Sequence, residues 1–428
     1  MTYEQTLDYL YKQLPIFQNI GGKAFNASLD NIRRFCAHLG NPHTQYPTLH
    51  IAGTNGKGSS SHMLAAVLQA AGYKVGLYTS PHLKSFTERV RVNGQAIAPA
   101  QIVAFVQRYQ TQIESWRPSF FEVTVAMALD YFAQQKVDVA VIEVGLGGRL
   151  DATNIVTPEA CLITNISFDH QQILGNTLKA IAKEKAGIIK LNTPVVIGER
   201  QTETTPVFET TSQQHQAPLY FAQDEYFCKW ADVAQGKLMV KKNGKAFLPE
   251  ITMSLKGSYQ EKNINGVLKV LEILQNRDWQ ITQEHIIEGL QKTVELTQLK
   301  GRWQVLKKAP LTICDTAHNE AGLSQVMTQL QQLPRQQLHI VLGAMADKVL
   351  DKILPLFPME ATYYFCAPAI PRAMEVNKLK QLAAGFELRG LAYASVMEAY
   401  TQAQSQAQIN DVVFAGGSTF VLAEIEGV

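Results

Sequence analysis

The 428-residue chain contains no apolar run approaching the roughly eighteen residues that span a bilayer. That excludes a membrane-crossing helix. It has no excess of either charge: 39 Lys and Arg against 37 Asp and Glu leave a net charge of +2. Such a balance gives no reason to expect nucleic acid or an anionic membrane as the main partner. Cysteine is scarce and unpaired. The five residues Cys36, Cys161, Cys228, Cys314 and Cys366 are widely spread and form no C-x-x-C pair. This argues against a disulfide framework or a structural zinc and suits a reducing cytosol. The opening Met1-Thr-Tyr-Glu-Gln-Thr lacks the apolar core of a signal peptide. There are no internal repeats and no low-complexity segments. A soluble, cytoplasmic protein is expected, and its length calls for two domains.

What the chain does have is a glycine loop, Gly53-Thr54-Asn55-Gly56-Lys57-Gly58-Ser59, set between a short β-type run (Thr48 to Ala52) and a helical run. From Lys57 onward, Met63, Leu64, Val67, Leu68 and Ala71 recur at helical spacing. A strand, a glycine loop with a lysine and then a helix is a way to hold nucleotide phosphates. Backbone N–H groups close around phosphate oxygens, the helix N-terminus adds positive potential, and Lys57 adds a mobile charge. The usual P-loop places Ser or Thr directly after the lysine to hold magnesium. Gly58 stands there instead, so a metal needs a ligand from elsewhere.

After the loop, β-like segments (Lys74 to Tyr78, Val137 to Val144, Ala160 to Ile166, Pro194 to Ile197) alternate with helical ones (Ala100 to Trp116, Glu122 to Gln134, Leu178 to Ile189). This predicts an α/β fold with a mostly parallel sheet, whose ligands bind at the carboxyl ends of the strands. Residues Glu225 to Leu255 read as a small antiparallel excursion, with Lys241-Lys242-Asn243-Gly244 as a hairpin turn. A second alternating block follows, with strands at Leu311 to Cys314, Leu338 to Leu342, Ala361 to Cys366 and Asp411 to Ala415. The domains expected are therefore 1–296 and 297–428.

Several strand ends carry chemistry. Glu143 closes a buried strand before Gly145-Leu-Gly-Gly148, where a carboxylate serves either magnesium or solvent. Ser80, in Thr79-Ser80-Pro81-His82, either supplies the hydroxyl that Gly58 cannot or belongs to a turn. His170, in Asn165-Ile-Ser-Phe-Asp169-His170, is a candidate ligand for a second metal with Asp169 orienting it, or a structural hydrogen-bonder. Ala182-Lys183-Glu184-Lys185 reads as a solvated helix face. In the second block, Asp315 ends an apolar strand, to take a ribose hydroxyl or to cap, and Arg302 is a candidate clamp on phosphates or a surface residue.

Taken together and in order, these pieces resemble the folylpolyglutamate synthase and dihydrofolate synthase family of the Mur ligase superfamily. The resemblance runs through Gly53–Ser59, Ser80-Pro-His-Leu83, Phe121-Glu122, Glu143-Val-Gly-Leu-Gly-Gly-Arg-Leu-Asp-Ala-Thr-Asn154, His170, Glu184-Lys-Ala-Gly-Ile188, Gly301-Arg302 and Asp315-Thr-Ala-His-Asn319. It implies a P-loop-type domain followed by a smaller Rossmann-like α/β domain. The implied reaction is ATP-driven amide formation between a pterin-bearing acid (dihydropteroate or a reduced folate) and L-glutamate, through an acyl phosphate. Gly53, Thr54, Asn55, Gly56, Lys57, Gly58 and Ser59 would hold the ATP phosphates. Ser80 and Glu143 would hold one Mg2+, and His170 a second. Lys185 matches a lysine carried as a carbamate. Asn263 would lie on the adenine side, with Arg302 and Asp315 also on ATP. His318 and Ser418 would take glutamate, and Phe121, Glu122, Leu150, Asp151 and Ala152 the pterin substrate. A monomer is expected. The chain departs from the family pattern at Thr316, where glycine is usual, at Glu320, where proline is usual, and at Trp303, where Phe or Leu is usual.

Two rivals fit less well. A peptidoglycan-precursor ligase would carry a nucleotide-binding domain ahead of the loop, where this sequence has 52 residues. A P-loop switch or motor would have Ser or Thr after Lys57.

Overall fold

Short apolar runs bounded by Gly, Asn and Pro become buried strands. β1 (Thr48–Ala52), β2 (Val75–Tyr78), β3 (Val90–Val92), β4 (Gln95–Ala96), β5 (Val139–Glu143), β6 (Ala160–Ile163), β7 (Val195–Ile197) and β8 (Leu219–Phe221) form one eight-stranded sheet in the order β4-β3-β2-β5-β1-β6-β7-β8. The stretch from β2 to β8 is parallel, and β3 and β4 turn back antiparallel at one edge. Every residue of β1, β2, β5, β6 and β7 is buried, as a parallel sheet covered on both faces requires. The helix Phe120–Gln135 covers one side, with Phe132 in contact with the bare Cα of Gly76.

The structure, a computed structural model, describes residues 1–14 and 28–428. The excursion after β8 is a three-stranded antiparallel sheet of β9 (Tyr226–Asp232), β10 (Lys237–Lys242) and β11 (Lys245–Thr252). Asn243 and Gly244, with φ of 50° and 77°, make the tight turn between β10 and β11. Both positive values suit a type I′ hairpin.

A second sheet has the order β12-β13-β17-β14-β15-β16, with β12 (Gln304–Lys308), β13 (Leu311–Cys314), β14 (Leu338–Leu342), β15 (Thr362–Phe365), β16 (Gly390–Ala392) and β17 (Val412–Gly416). All neighbours are parallel except β12 with β13. β12 and β16 escape the sequence reading because they are half-exposed edge strands, β12 ending in two lysines and β16 only three residues long.

The chain divides into two units: residues 1–254 with 260–298, and residues 255–259 with 299–428. The sequence reading places Leu255–Tyr259 in the first domain, whereas their contacts lie in the second unit. Ser258 N–H donates to Gln329 Oε1 (2.6 Å), Gln329 Nε2 donates to Lys256 O (3.0 Å), and Tyr259 donates to Asp315 Oδ2 (2.6 Å). Among the described residues, no helix is long and apolar enough to cross a membrane.

Candidate functional site

The glycine loop leaves β1 and enters the helix Lys57–Ala70, with Gly56 at the N-cap in the left-handed region (φ 85°). Gly53 (φ 142°) is required by close approach: a Cβ there would fall 1.8 Å from Thr164 Oγ1. At Gly56 it would fall 2.1 Å from Asn263 Oδ1. The loop is fastened to the end of β6. Thr54 N–H donates to Asn165 O (2.9 Å), Asn55 N–H to Asn165 Oδ1 (3.1 Å), and Thr164 Oγ1 to Asn55 O (2.6 Å). Thr54 Oγ1 also donates to Ser167 O at 3.1 Å and accepts from Ser167 N–H at 3.0 Å.

Two lysines meet on this loop. Lys57 Nζ folds back to donate to Gly53 O and Thr54 O, both at 3.1 Å. Lys185 Nζ donates to the same Gly53 carbonyl at 2.8 Å. Lys185 is buried, which corrects the solvated-face reading of its segment; Lys183 is exposed, and Glu184 pairs with Arg149 at 3.0 Å. Burial, followed by the neighbouring charge of Lys57, pushes the Lys185 amine down to about 7, against the pull of Asp169 and Asp151.

Glu143 ends β5 almost fully buried and accepts from Ser80 N–H at 3.1 Å. Thus Ser80 and Glu143, two strand-end oxygen donors, meet beside the loop. The Ser80–Leu83 segment is braced by Glu88, whose carboxylate accepts from the N–H groups of Leu83, Lys84 and Ser85 at 2.8, 3.1 and 2.9 Å. It is also braced by Arg89, whose Nε donates to His82 Nδ1 at 2.8 Å. Burial, with Arg89 beside it, pushes His82 down to about 3, so its ring stays neutral. His170 is at φ 49°, capping the short helix Gln171–Leu174. Asp169 Oδ1 accepts from His170 N–H (2.9 Å), while Oδ2 is 3.9 Å from the ring Nε2. Asp169 thus holds the backbone at His170 and lies within ion-pair distance of its ring. Among the described residues, no group of three or more His, Cys, Asp or Glu converges as a ready metal cluster.

Among the residues expected to meet the pterin, the Phe121 ring lies against Gly145, where a Cβ would fall 2.4 Å from its Cζ, and packs on Tyr78 at 6.2 Å. Glu122 uses its carboxylate in a capping box, accepting from Ser119 N–H at 2.7 Å. Asp151 is buried between Leu150 and Ala152 and accepts from Leu146 N–H (2.8 Å), Thr153 N–H (3.0 Å) and Thr153 Oγ1 (2.5 Å). Burial pushes its pKa up, against the bonds from Thr153 and Leu146. Asp151 thus fixes the shape of the Gly145–Leu150 loop. Asn263 is buried near Gly56 and donates to Gln260 Oε1 (2.8 Å), whose amide in turn donates to Ser59 Oγ (3.2 Å).

In the second unit, Asp315 is buried and anchors the turn that carries Arg302. It accepts from Tyr259 and from the N–H groups of Trp303 (2.7 Å) and Ala317 (2.8 Å). Arg302 donates to the Thr316 hydroxyl, so the threonine that replaces glycine gives the guanidinium a partner. His318 Nδ1 lies 3.0 Å from Thr316 O, and Ser418 caps the helix Thr419–Glu424. The sequence reading omits the anchors Thr164 and Asn165 and the braces Glu88 and Arg89. For Glu88 the signal exists, since Ser85-x-x-Glu88 spells a capping box.

Comparison with known proteins adds an independent line. The Mur ligase middle domain family matches residues 51–271, and the Mur ligase glutamate ligase domain family matches residues 301–419. The dihydrofolate synthase/folylpolyglutamate synthase of Bacillus subtilis is 32% identical over 410 residues, covering 93% of this chain and 94% of that protein. Escherichia coli FolC in complex with DHPP and ADP has a TM-score of 0.83 at 29% identity, over 99% of this chain and 96% of that one. A bifunctional folylpolyglutamate synthase/dihydrofolate synthase with Mn, AMPPNP and L-glutamate bound has a TM-score of 0.84 at 29% identity, over 99% and 97% of the two chains.

Two outcomes follow from this geometry. Gly53→Ala should weaken ADP binding at least about tenfold by calorimetry, because the new methyl displaces Thr164 from the loop. Gly72→Ala, with φ of 85° but nothing within 4 Å, isolates backbone strain and should leave ADP affinity unchanged. The second outcome concerns pH. The native Lys185 amine loses its proton near 7, whereas the unfolded one keeps it to its ordinary 10.5. Between these values the unfolded state binds the extra proton, so stability rises with pH across that window and is flat below it. In CO2-free buffer, the denaturation midpoint of the wild type should rise from pH 7 to 9 relative to Lys185→Met. Parallel profiles would refute the shifted amine.

Proposed function

The chain belongs to the Mur ligase family, in its branch of folylpolyglutamate and dihydrofolate synthases, and from that membership we propose how its residues divide the work. The protein is an ATP-dependent ligase that joins L-glutamate to a pteroate or folate carboxylate. We assign it both activities: first glutamate addition to dihydropteroate and extension of reduced folates. The observation that carries this reading is the pair of lysines converging on Gly53 O within a glycine cradle at the strand ends, beside Ser80 and Glu143.

A carboxylate does not condense with an amine at neutral pH because it is a poor electrophile. In the proposed sequence, an oxygen of the pterin acid's carboxylate attacks the γ-phosphorus of ATP and ADP leaves. The glutamate amine then attacks the acyl carbon, phosphate departs, and the amine's proton is released. The N–H groups of Gly56 to Ser59 hold the phosphates, with Thr54 and Asn55 tied to Asn165, and Lys57 follows the transferred phosphoryl with its charge. Hard oxygen donors at a strand end suit magnesium: Ser80 and Glu143 would hold one ion and His170 a second. Bound there, magnesium offsets phosphate charge. An amine near 7 is partly neutral, the form that adds CO2, so Lys185 is proposed to become a carbamate. That would supply an anionic oxygen where the described residues offer no third acidic ligand. Phe121 and the Leu150-Asp151-Ala152 loop are assigned to the pterin, with Glu122 shaping the helix entrance. Asn263, Arg302 and Asp315 are assigned to ATP, and His318 and Ser418 to glutamate. A monomer is proposed, and for its compartment the cytoplasm, which the five free cysteines support.

The test is magnesium- and glutamate-dependent phosphate release from ATP, run separately with dihydropteroate and with tetrahydrofolate. Turnover with both acids is expected. Turnover with one alone would remove the dual assignment, and ATP hydrolysis indifferent to either acid would overturn the ligase reading. For Lys185, 13C NMR under 13CO2 should show a carbamate carbon that Lys185→Arg abolishes.

A further inference from the structure

Tyr78 ends β2 with 1% of its surface exposed, and its hydroxyl proton meets no acceptor among the described residues: the group beside the oxygen is Arg89, which can only donate. A buried hydroxyl proton without an acceptor is costly, and phenylalanine would remove that cost without changing the ring. Apart from Arg89, nothing in its own packing asks for the oxygen.

What surrounds it does. Its ring packs on Phe121 at 6.2 Å, and Phe121 in turn covers Gly145. The Asp151 and Glu143 carboxylates act electrostatically on the phenol, as does the Arg89 guanidinium. Tyr78 thus lies between the Phe121 ring, which covers Gly145, and the Ser80 turn that Glu143 holds. Arg89 is itself buried, with its Nε on His82 and its guanidinium carbon 5.5 Å from the centre of the Phe120 ring. Phe86 closes the same nest edge-on to Phe120 at 5.8 Å. The walls suit a flat aromatic ring, and the polar groups sit at one point in them.

We propose that Tyr78 is a specificity-determining residue whose hydroxyl donates a hydrogen bond to a carbonyl oxygen or ring nitrogen of the substrate's heterocycle. The inference rests on the ligase reading above and deepens it. Arg89, a cation beside the phenol oxygen, draws the lone pairs toward itself and leaves the O–H proton to be offered to an acceptor. Access requires the partly exposed Phe121 ring to turn aside, a side-chain change of the kind common on ligand binding. Tyr78 takes no part in phosphate or glutamate binding.

The experiment compares wild type with Tyr78→Phe in three readouts: thermal unfolding, KM for dihydropteroate and for ATP, and competitive inhibition by 6-methylpterin, which has a pterin ring and no carboxylate. Loss of one hydrogen bond predicts a roughly five- to tenfold rise in the dihydropteroate KM and the 6-methylpterin inhibition constant. The KM for ATP should be unchanged, and Tm unchanged or raised by about 2 °C or more. A structural hydroxyl would instead lower Tm and leave both pterin constants alone, which overturns the proposal. A raised dihydropteroate KM with unchanged 6-methylpterin inhibition also overturns it, because the contact would then lie outside the ring. Tyr78→Phe behaving as wild type in a glutamate-adding enzyme overturns this inference alone. A wild type that neither turns over nor binds a pterin acid overturns the ligase reading, and this inference with it.

Discussion

One carbonyl oxygen organises the first unit. Gly53 O accepts from both Lys57 and Lys185, at 3.1 and 2.8 Å. Burial first, and the neighbouring Lys57 cation second, push the Lys185 amine down to about 7. Holding that carbonyl in place consumes much of the local structure. Gly53 must lack a Cβ, Thr164 and Asn165 must hold the loop to β6, and Gly145 to Asp151 must be shaped to keep the Asp151 carboxylate near enough to moderate Lys185. A polyphosphate is the ligand that relieves such an excess of positive charge.

Much of this was legible in the sequence because it depends on local chemistry. Gly53 and Gly56 stand at positions of positive φ or close approach that bar other residues, and Glu143 and His170 follow apolar runs that become parallel strands with ends on one edge. What was not legible is what depends on distant packing. Lys185 sits in a charged run that reads as solvated, and only the fold reveals its burial against residue 53. For Asp151, the fold adds that its oxygens accept from Leu146 and Thr153. Tyr78 reads as an ordinary strand residue, since its unmatched hydroxyl proton is a property of the fold.

The second unit shows the same division. Four central strands announce themselves by composition, and the edge strands β12 and β16 do not. The departure from the family pattern at residue 316 is absorbed locally: the threonine hydroxyl takes a hydrogen bond from Arg302. Trp303 adopts φ 46°, a strained value for a bulky residue, held there by its N–H bond to Asp315. Strain of this kind cannot be read from residue identity, because it exists only where the surrounding hydrogen bonds over-determine it.

The strap Leu255–Tyr259 has a consequence for how such proteins can be assembled from parts. It lies more than forty positions upstream of the rest of its unit, yet supplies the phenol that Asp315 accepts from and the backbone groups that Gln329 grips at both ends of its amide. A gene segment beginning at residue 299 would encode a sheet whose central buried carboxylate has lost a donor and whose Gln329 has lost both partners. Shuffling by exchange of contiguous halves is therefore penalised. The two matched families meet the chain as separate stretches, yet the second unit takes five of its residues from the stretch that the first family matches, and a foreign counterpart of that unit would need to bring its own strap.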